Sequence, residues 1–375
     1  MRGIIATDYQ WGVDLVKKNI FISIVFVLVL AISFMIFWGA KSGNYVPDDE
    51  EQQIGVSQEV PTNTDIPGEN SDSGQVDSQM IGDDFKEIEI GIEQMGKSFA
   101  ISNDGKRIAY TGYNGENGIA EIWVSDIDAG MKTGNSKMIE SCSTNLENIG
   151  YFNIAWLPDN SGFIYFSDED YKVQIKKYTV KDGKFTILRS VKPGIGISSI
   201  SFGKVSQKLY YTEDIPDELI ESVFKTNNIS FNNENQIGKI ATDTGGQMRQ
   251  IIPMMNVSPD EQKLAFSSYN RFTNKYSVWI YDITAQKMDM ISDMQYHAVT
   301  PIWSPDGKYV AYSEKSGNAQ YYIAIYNTQN GNTNKIYAEG IDITHPYWYP
   351  DGRSIIYIYC EDNIMGLRCR SFTDI

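Results

Sequence analysis

Histidine is nearly missing from this chain: only His297 and His345 are present. A histidine-built metal cage or proton-transfer site has little to draw on. Three cysteines, Cys142, Cys360 and Cys369, are too few for a disulfide-dense scaffold and wrongly spaced for zinc. Positive charge is scarce too, with 32 Lys and Arg against 48 Asp and Glu, a formal net charge of -16. No useful basic run occurs beyond the extreme N-terminus, which excludes nucleic acid as a partner, since phosphate contacts need clustered cations. The acidity suits the solubility of an exposed protein. No calcium loop, phosphate loop or nucleophile–base spacing occurs. No catalytic, cofactor-binding or metal-ligating residue is assigned.

Long uncharged runs are rare as well, with one exception. Residues 20–38, IFISIVFVLVLAISFMIFW, carry no charge and are long enough to cross a bilayer core. Lys17 and Lys18 precede the run, whereas Asp48, Asp49, Glu50 and Glu51 follow it closely. The positive-inside rule then sets the short tail 1–19 in the cytoplasm and the bulk outside. Trp38 stands where a cleavage site needs a small residue, so the run reads as an uncleaved signal-anchor in the cytoplasmic membrane.

Residues 39–84 read as a flexible acidic linker. Between 41 and 79 there are nine Asp or Glu, one Lys and a single aromatic, Tyr45. Such a stretch cannot bury enough apolar surface to offset its ordering entropy, and it serves as a tether.

From residue 85 onward the chain repeats itself. SNDGKRIAYTG begins at Ser102, LPDNSGFIYFS at Leu157, SPDEQKLAFSS at Ser258, SPDGKYVAYSE at Ser304 and YPDGRSIIYIY at Tyr349. A degenerate copy, GKVSQKLYYTE, begins at Gly203. Asp104, Asp159, Asp260, Asp306 and Asp351 are spaced by 55, 101, 46 and 45, and the doubled gap holds the degenerate copy. Each unit runs apolar strand, Pro-Asp-Gly turn, second strand, third strand and weaker fourth. Pro fixes φ, Asp bonds the backbone ahead and Gly accepts positive φ. Four strands rich in Val, Ile, Tyr, Phe and Trp, repeated six times, predict an all-β chain: a six-bladed β-propeller of four-stranded antiparallel blades over 85–375. The repeated Asp residues are turn formers, one per blade, not a metal series.

The blades are expected to start near 96, 150, 196, 253, 299 and 344. The last unit supplies only three good strands, so FKEIEIGI (85–92) is expected to close blade six as its outermost strand. Blade three is read as carrying an insertion, 213–234, with Pro216, Asp217 and Glu218 opening a helix to about Lys225.

These repeats resemble the PD40, or WD40-like, repeat of the TolB-like six-bladed propellers. The residues that carry the resemblance are Pro305-Asp306-Gly307 with Ala311-Tyr312, Pro259-Asp260 with Ala265-Phe266, and Asp104-Gly105 with Ala109-Tyr110. Pro350-Asp351-Gly352, Pro158-Asp159 and the strand ends Trp279–Asp282 and Trp123–Asp126 extend it over about 94–375. The resemblance implies the fold. It leaves function open, because such repeats occur in transport components, before serine peptidase domains and in bacterial surface proteins. TolB itself carries an α/β domain where this chain has an anchor and tether, and no G-x-S-x-G or peptidase domain follows the repeats.

Thr300 and His345 align at the start of innermost strands, with His297 and Tyr347 close by. These four residues form the candidate partner-binding patch at the channel mouth. Cys360 and Cys369 flank a short hairpin and form a candidate disulfide, whereas Cys142 is expected to be a buried small apolar residue. The sequence reads as a non-enzymatic binder of a protein or peptide in an envelope transport, secretion or sensing complex. The alternatives are a lyase or glycan hydrolase with its site at the channel mouth, and a ligand-sensing ectodomain.

Overall fold

The computed structural model describes residues 78–80 and 85–372, apart from 91–94, 115–117, 144–150, 170–171, 191–195, 216–220, 241–253, 271–273, 294–296, 316–319, 339 and 362–363. The expected cytoplasmic tail, membrane anchor and nearly all of the linker lie outside the described residues. Among those described there is no helix.

Two short strands, β1 (Ser78–Met80) and β2 (Lys86–Ile88), precede six sheets. Blade one comprises β3 (Met95–Ile101), β4 (Arg107–Asn114), β5 (Ile119–Ile127) and β6 (Thr133–Ser143). Blade two comprises β7 (Tyr151–Trp156), β8 (Gly162–Glu169), β9 (Lys172–Thr179) and β10 (Lys184–Ser190). Blade three comprises β11 (Gly196–Phe202), β12 (Leu209–Ile215), β13 (Glu221–Asn227) and β14 (Asn235–Ile240). Blade four comprises β15 (Met255–Val257), β16 (Lys263–Asn270), β17 (Lys275–Asp282) and β18 (Lys287–Met290). Blade five comprises β19 (His297–Trp303), β20 (Tyr309–Lys315), β21 (Tyr321–Asn327) and β22 (Thr333–Tyr337). Blade six comprises β23 (Asp342–Trp348), β24 (Ser354–Glu361) and β25 (Ile364–Ser371), with β2 as its fourth strand, antiparallel to β25.

The period-two alternation of each strand supplies two apolar faces per blade. Those faces meet between neighbours. Ala311, Ile323 and Ile325 of blade five meet Ile343, Trp348 and Ile355 of blade six. The ring closes the same way: Ile356, Ile358 and Leu367 of blade six bury Phe99, Ile108 and Tyr110 of blade one, with Ile88 of β2 in the same cluster. Arg368 of β25 fixes that closing strand. Its guanidinium lies 4.1 Å from the Phe85 ring centroid and 3.8 Å from that of Tyr359, and it pairs with Glu87 and Glu361.

Three expectations are corrected. The helix expected to run to about Lys225 does not: Glu221–Asn227 is strand β13, paired in continuous register with β12 from Leu209↔Asn227 to Ile215↔Glu221, and 216–220 lie outside the described residues. The described residues of 213–234 are thus the ends of the second and third strands and the turn after them. Pairing that buries Val223 and Phe224 wins over helical propensity at Glu221–Lys225. The linker is not structureless throughout, since Ser78–Met80 adds to blade five as a fifth strand, parallel to β22. Cys360 and Cys369 cannot bond. Cys360 faces Met365 and Cys369 faces Ile356, four residues along the ladder. At the usual strand rise that is about 13 Å, well beyond disulfide reach.

Candidate functional site: the channel mouth

The turns dictate the site. Ser102, Ser258 and Ser304 donate through Oγ to Asp104, Asp260 and Asp306 two residues on, at 2.6–2.7 Å. The same carboxylates accept the backbone N–H of Lys106, Gln262 and Lys308. Asp159 and Asp351 accept from Ser161 and Arg353 in the same manner. This self-capping fixes the exit of five of the six innermost strands and so the register of each of those strands.

The residue six positions before each turn Asp lines the central opening: Ser98, Asn153, Met254, Thr300 and His345. Blade three supplies Ser199, six residues before Val205, which occupies the Asp position of the degenerate repeat. The open space they line is about 190 Å³, and Asn103, Lys204, Pro259, Pro305 and Pro350 of the turns line it as well.

Three of these residues hold left-handed backbone: Asn153 at φ 52°, Thr300 at 59° and His345 at 51°. Each sits in a bulge, where the register jumps between Phe152 and Ala155, Val299 and Ile302, or Thr344 and Tyr347. Bulges re-aim side chains, and a β-branched Thr at positive φ is strained unless its surroundings compel it. Ser313 does so here. Its Oγ lies 2.7 Å from Thr300 Oγ1 and accepts the His345 N–H at 2.8 Å, tying the bulges of blades five and six together.

Further bonds cross the blade seams around the channel. Trp156 Nε1 donates to Ala100 O at 3.0 Å, Ser199 Oγ accepts from Met255 N at 2.7 Å, and Asn256 Oδ1 accepts from Trp303 N at 2.8 Å. Tyr347 donates to Ile101 O across the closing seam, and burial pushes its phenol up to about 12.

Thr300, His345 and Tyr347 thus line the channel, and His297 does not. His297 begins β19 and lies half-buried and edge-on to Tyr276, with ring centroids 5.0 Å apart. Its Nδ1 accepts the Tyr276 N–H at 3.4 Å. Burial, then the positive charge of Lys315 and Lys275, lowers its pKa to about 4. Sequence reasoning missed Asn153, Lys204 and the indoles of Trp156, Trp303 and Trp348. The constant offset from the turn Asp was the signal that finds them: Asn153 stands at the same place as Thr300 and His345, and each Trp lies three residues before its Asp.

Lys204 is the one charged side chain of the described lining, and no carboxylate stands among those residues. No cluster of potential metal ligands occurs among the described residues.

Residues 240–361 match the family described as the TolB beta propeller domain, PD40. The match falls within the second half of the six-bladed propeller. TolB from Acinetobacter baumannii superposes with a TM-score of 0.54 at 16% identity, covering 73% of this chain and 65% of that one. Oligogalacturonate lyase from Vibrio parahaemolyticus gives a TM-score of 0.48 at 10% identity, covering 77% of this chain and 90% of that one. Among curated sequences, the Bacillus subtilis protein named uncharacterized peptidase YuxL is 30% identical over 104 residues. That match spans 26% of this chain and only 16% of the YuxL sequence. The likeness to TolB shows the propeller fold, and a fold by itself does not fix function.

Proposed function

We propose that this protein is a non-enzymatic, membrane-anchored propeller that binds a protein or peptide partner at the turn-rimmed channel mouth, in an envelope complex for transport, secretion or sensing. The observation that carries the reading is the ring of six equivalent residues, three of them on left-handed bulges, two of which Ser313 ties together. Backbone strain maintained at equivalent positions of three blades, around one concave opening, suits a preformed recognition surface. The uncharged run 20–38 supplies the anchor and the acidic linker the reach, which sets the propeller outside the cytoplasmic membrane. A glycan hydrolase at this mouth would need a pair of carboxylates flanking the substrate. The described lining offers Ser, Asn, Thr, Met and one His instead, which favours binding over that chemistry.

The test is crosslinking recovery from native membranes, comparing the wild-type chain with an Asn153→Gly/His345→Gly double variant. Glycine accepts positive φ without strain, so the fold is preserved while two recognition groups go. One defined envelope protein, lost in the double variant, is expected. Equal recovery with both chains contradicts the proposal.

A further inference from the structure

The degenerate blade breaks the symmetry of the mouth. Five blades carry an Asp at the turn and, just before it, Asn103, Pro158, Pro259, Pro305 or Pro350. Blade three carries Lys204-Val205 at those two places, with Val205 77% exposed. Among the described residues no carboxylate pairs with Lys204, and the five turn Asp side chains bond back into their own turns. Glu261, from the next blade, is likewise committed to the backbone of Val205 and Ser206 and to the Tyr210 hydroxyl.

We infer that Lys204 is the anchor for a carboxylate of the channel ligand, so that the partner docks in one orientation with an acidic group on blade three. This rests on the reading of the mouth as the binding face. The geometry is that of a solitary cation on the wall of a concave, otherwise uncharged opening. Lys204 is exposed at the opening, and partial desolvation there holds its ammonium below the ordinary lysine pKa, with no neighbouring anion to offset it. An unpaired cation on an otherwise uncharged lining gains from an incoming carboxylate.

Reductive ¹³C-methylation of the full chain in detergent keeps every lysine charged, and Lys204→Arg identifies the Lys204 resonance. The probes are N-acetyl-aspartate as its α-methylamide, the carboxylate-free N-acetyl-asparagine α-methylamide, and the peptide acetyl-Gly-Asp-Gly-Asp-Gly-amide. A saturable shift of the Lys204 signal with the aspartate probe, absent with the asparagine probe, is expected. Tighter saturation by the peptide assigns the carboxylate to a polypeptide partner, and equal saturation by the aspartate probe assigns it to a small acid. In membrane recovery, Lys204→Gln is expected to lower capture of the partner about tenfold, as for loss of one charge-assisted hydrogen bond, with Lys204→Arg retaining it. No saturable shift, an equal shift with the asparagine probe, or all lysines moving together overturns the inference. A silent Lys204 with partner recovery still dependent on Asn153 and His345 overturns this inference alone. A responsive Lys204 with recovery indifferent to those two residues contradicts the proposed function instead.

Discussion

Glu261 caps the turn of a blade that is not its own. Its Oε1 accepts from the backbone N–H of Val205 at 2.7 Å and of Ser206 at 2.9 Å, and its Oε2 accepts from the Tyr210 hydroxyl at 3.0 Å. Val205 stands where the other five repeats have their turn Asp. The carboxylate that blade three lacks is thus provided by blade four, and the seam between them becomes a polar clasp.

Glu261→Ala is expected to lower stability by about 1–2 kcal/mol, the usual range for losing hydrogen bonds to a partly exposed charged group. Burial raises the Glu261 pKa, but hydrogen bonds from Ser206, Tyr210 and Val205 outweigh it and leave the pKa below the usual glutamate value of 4.5. The contribution is therefore full above pH 4.5 and fades as pH falls through the depressed folded value. Thermal unfolding at pH 7 and pH 3.5 checks both points, because the gap between wild type and variant should narrow at the lower pH.

His297 predicts a second pH dependence. Its folded pKa is lowered to about 4 from 6.5. Between those values the unfolded chain takes up a proton that the folded chain refuses. Stability from this group is thus full above pH 6.5 and declines as pH drops toward 4, by on the order of 1–2 kcal/mol after allowing for solvent screening. His297→Phe should flatten that part of the denaturation profile. The His297 ring resonance should titrate near pH 4, and a midpoint near 6.5 would refute the packing described.

Ring closure concentrates on Arg368, which is 8% exposed. Arg368→Ala removes two cation–π contacts and two ion pairs at the seam held by β2. A loss of about 2–4 kcal/mol is expected. Lys should rescue poorly, since it lacks the planar group that lies against Phe85 and Tyr359. Limited proteolysis near residue 85 should accelerate in both variants.

The cysteines should remain as thiols. Cys369 is buried in the closing-seam cluster, and burial pushes its thiol up to about 12, so it should resist alkylation in the native state. Cys360, at the outer part of the same hairpin and less buried, should react first. Mass spectrometry without reductant should show no link between them.

Much of the fold was legible because propeller turns use local chemistry. Ser, Asp and Gly around positions such as 304–307 make their bonds within five residues of each other, so a single repeat reveals the unit. The degenerate repeat was countable only from the doubled spacing, since its cap comes from Glu261, 56 residues from Val205. The segment at Glu221–Lys225 was misread for the related reason that hairpin register with Leu209–Ile215 outweighs local helical propensity. The hairpin around Cys360 and Cys369 was read correctly as a hairpin, but its register depends on where the turn falls, and that the spacing of two residues cannot specify. Of the channel, Thr300 and His345 were found by alignment, whereas Asn153 went unnoticed because its repeat has no Pro after it to match Pro301 and Pro346.

The most direct test of the central claim is site-specific photo-crosslinking in native membranes. A benzophenone side chain would replace Pro305 on the rim of the mouth or, as control, Ile187 on the outer strand of blade two, where it is 53% exposed. A single adduct from position 305, absent from position 187 and abolished by Asn153→Gly/His345→Gly, is the predicted result. An adduct from the outer strand alone, or one from the rim that ignores the two channel residues, would contradict the mouth as the binding face.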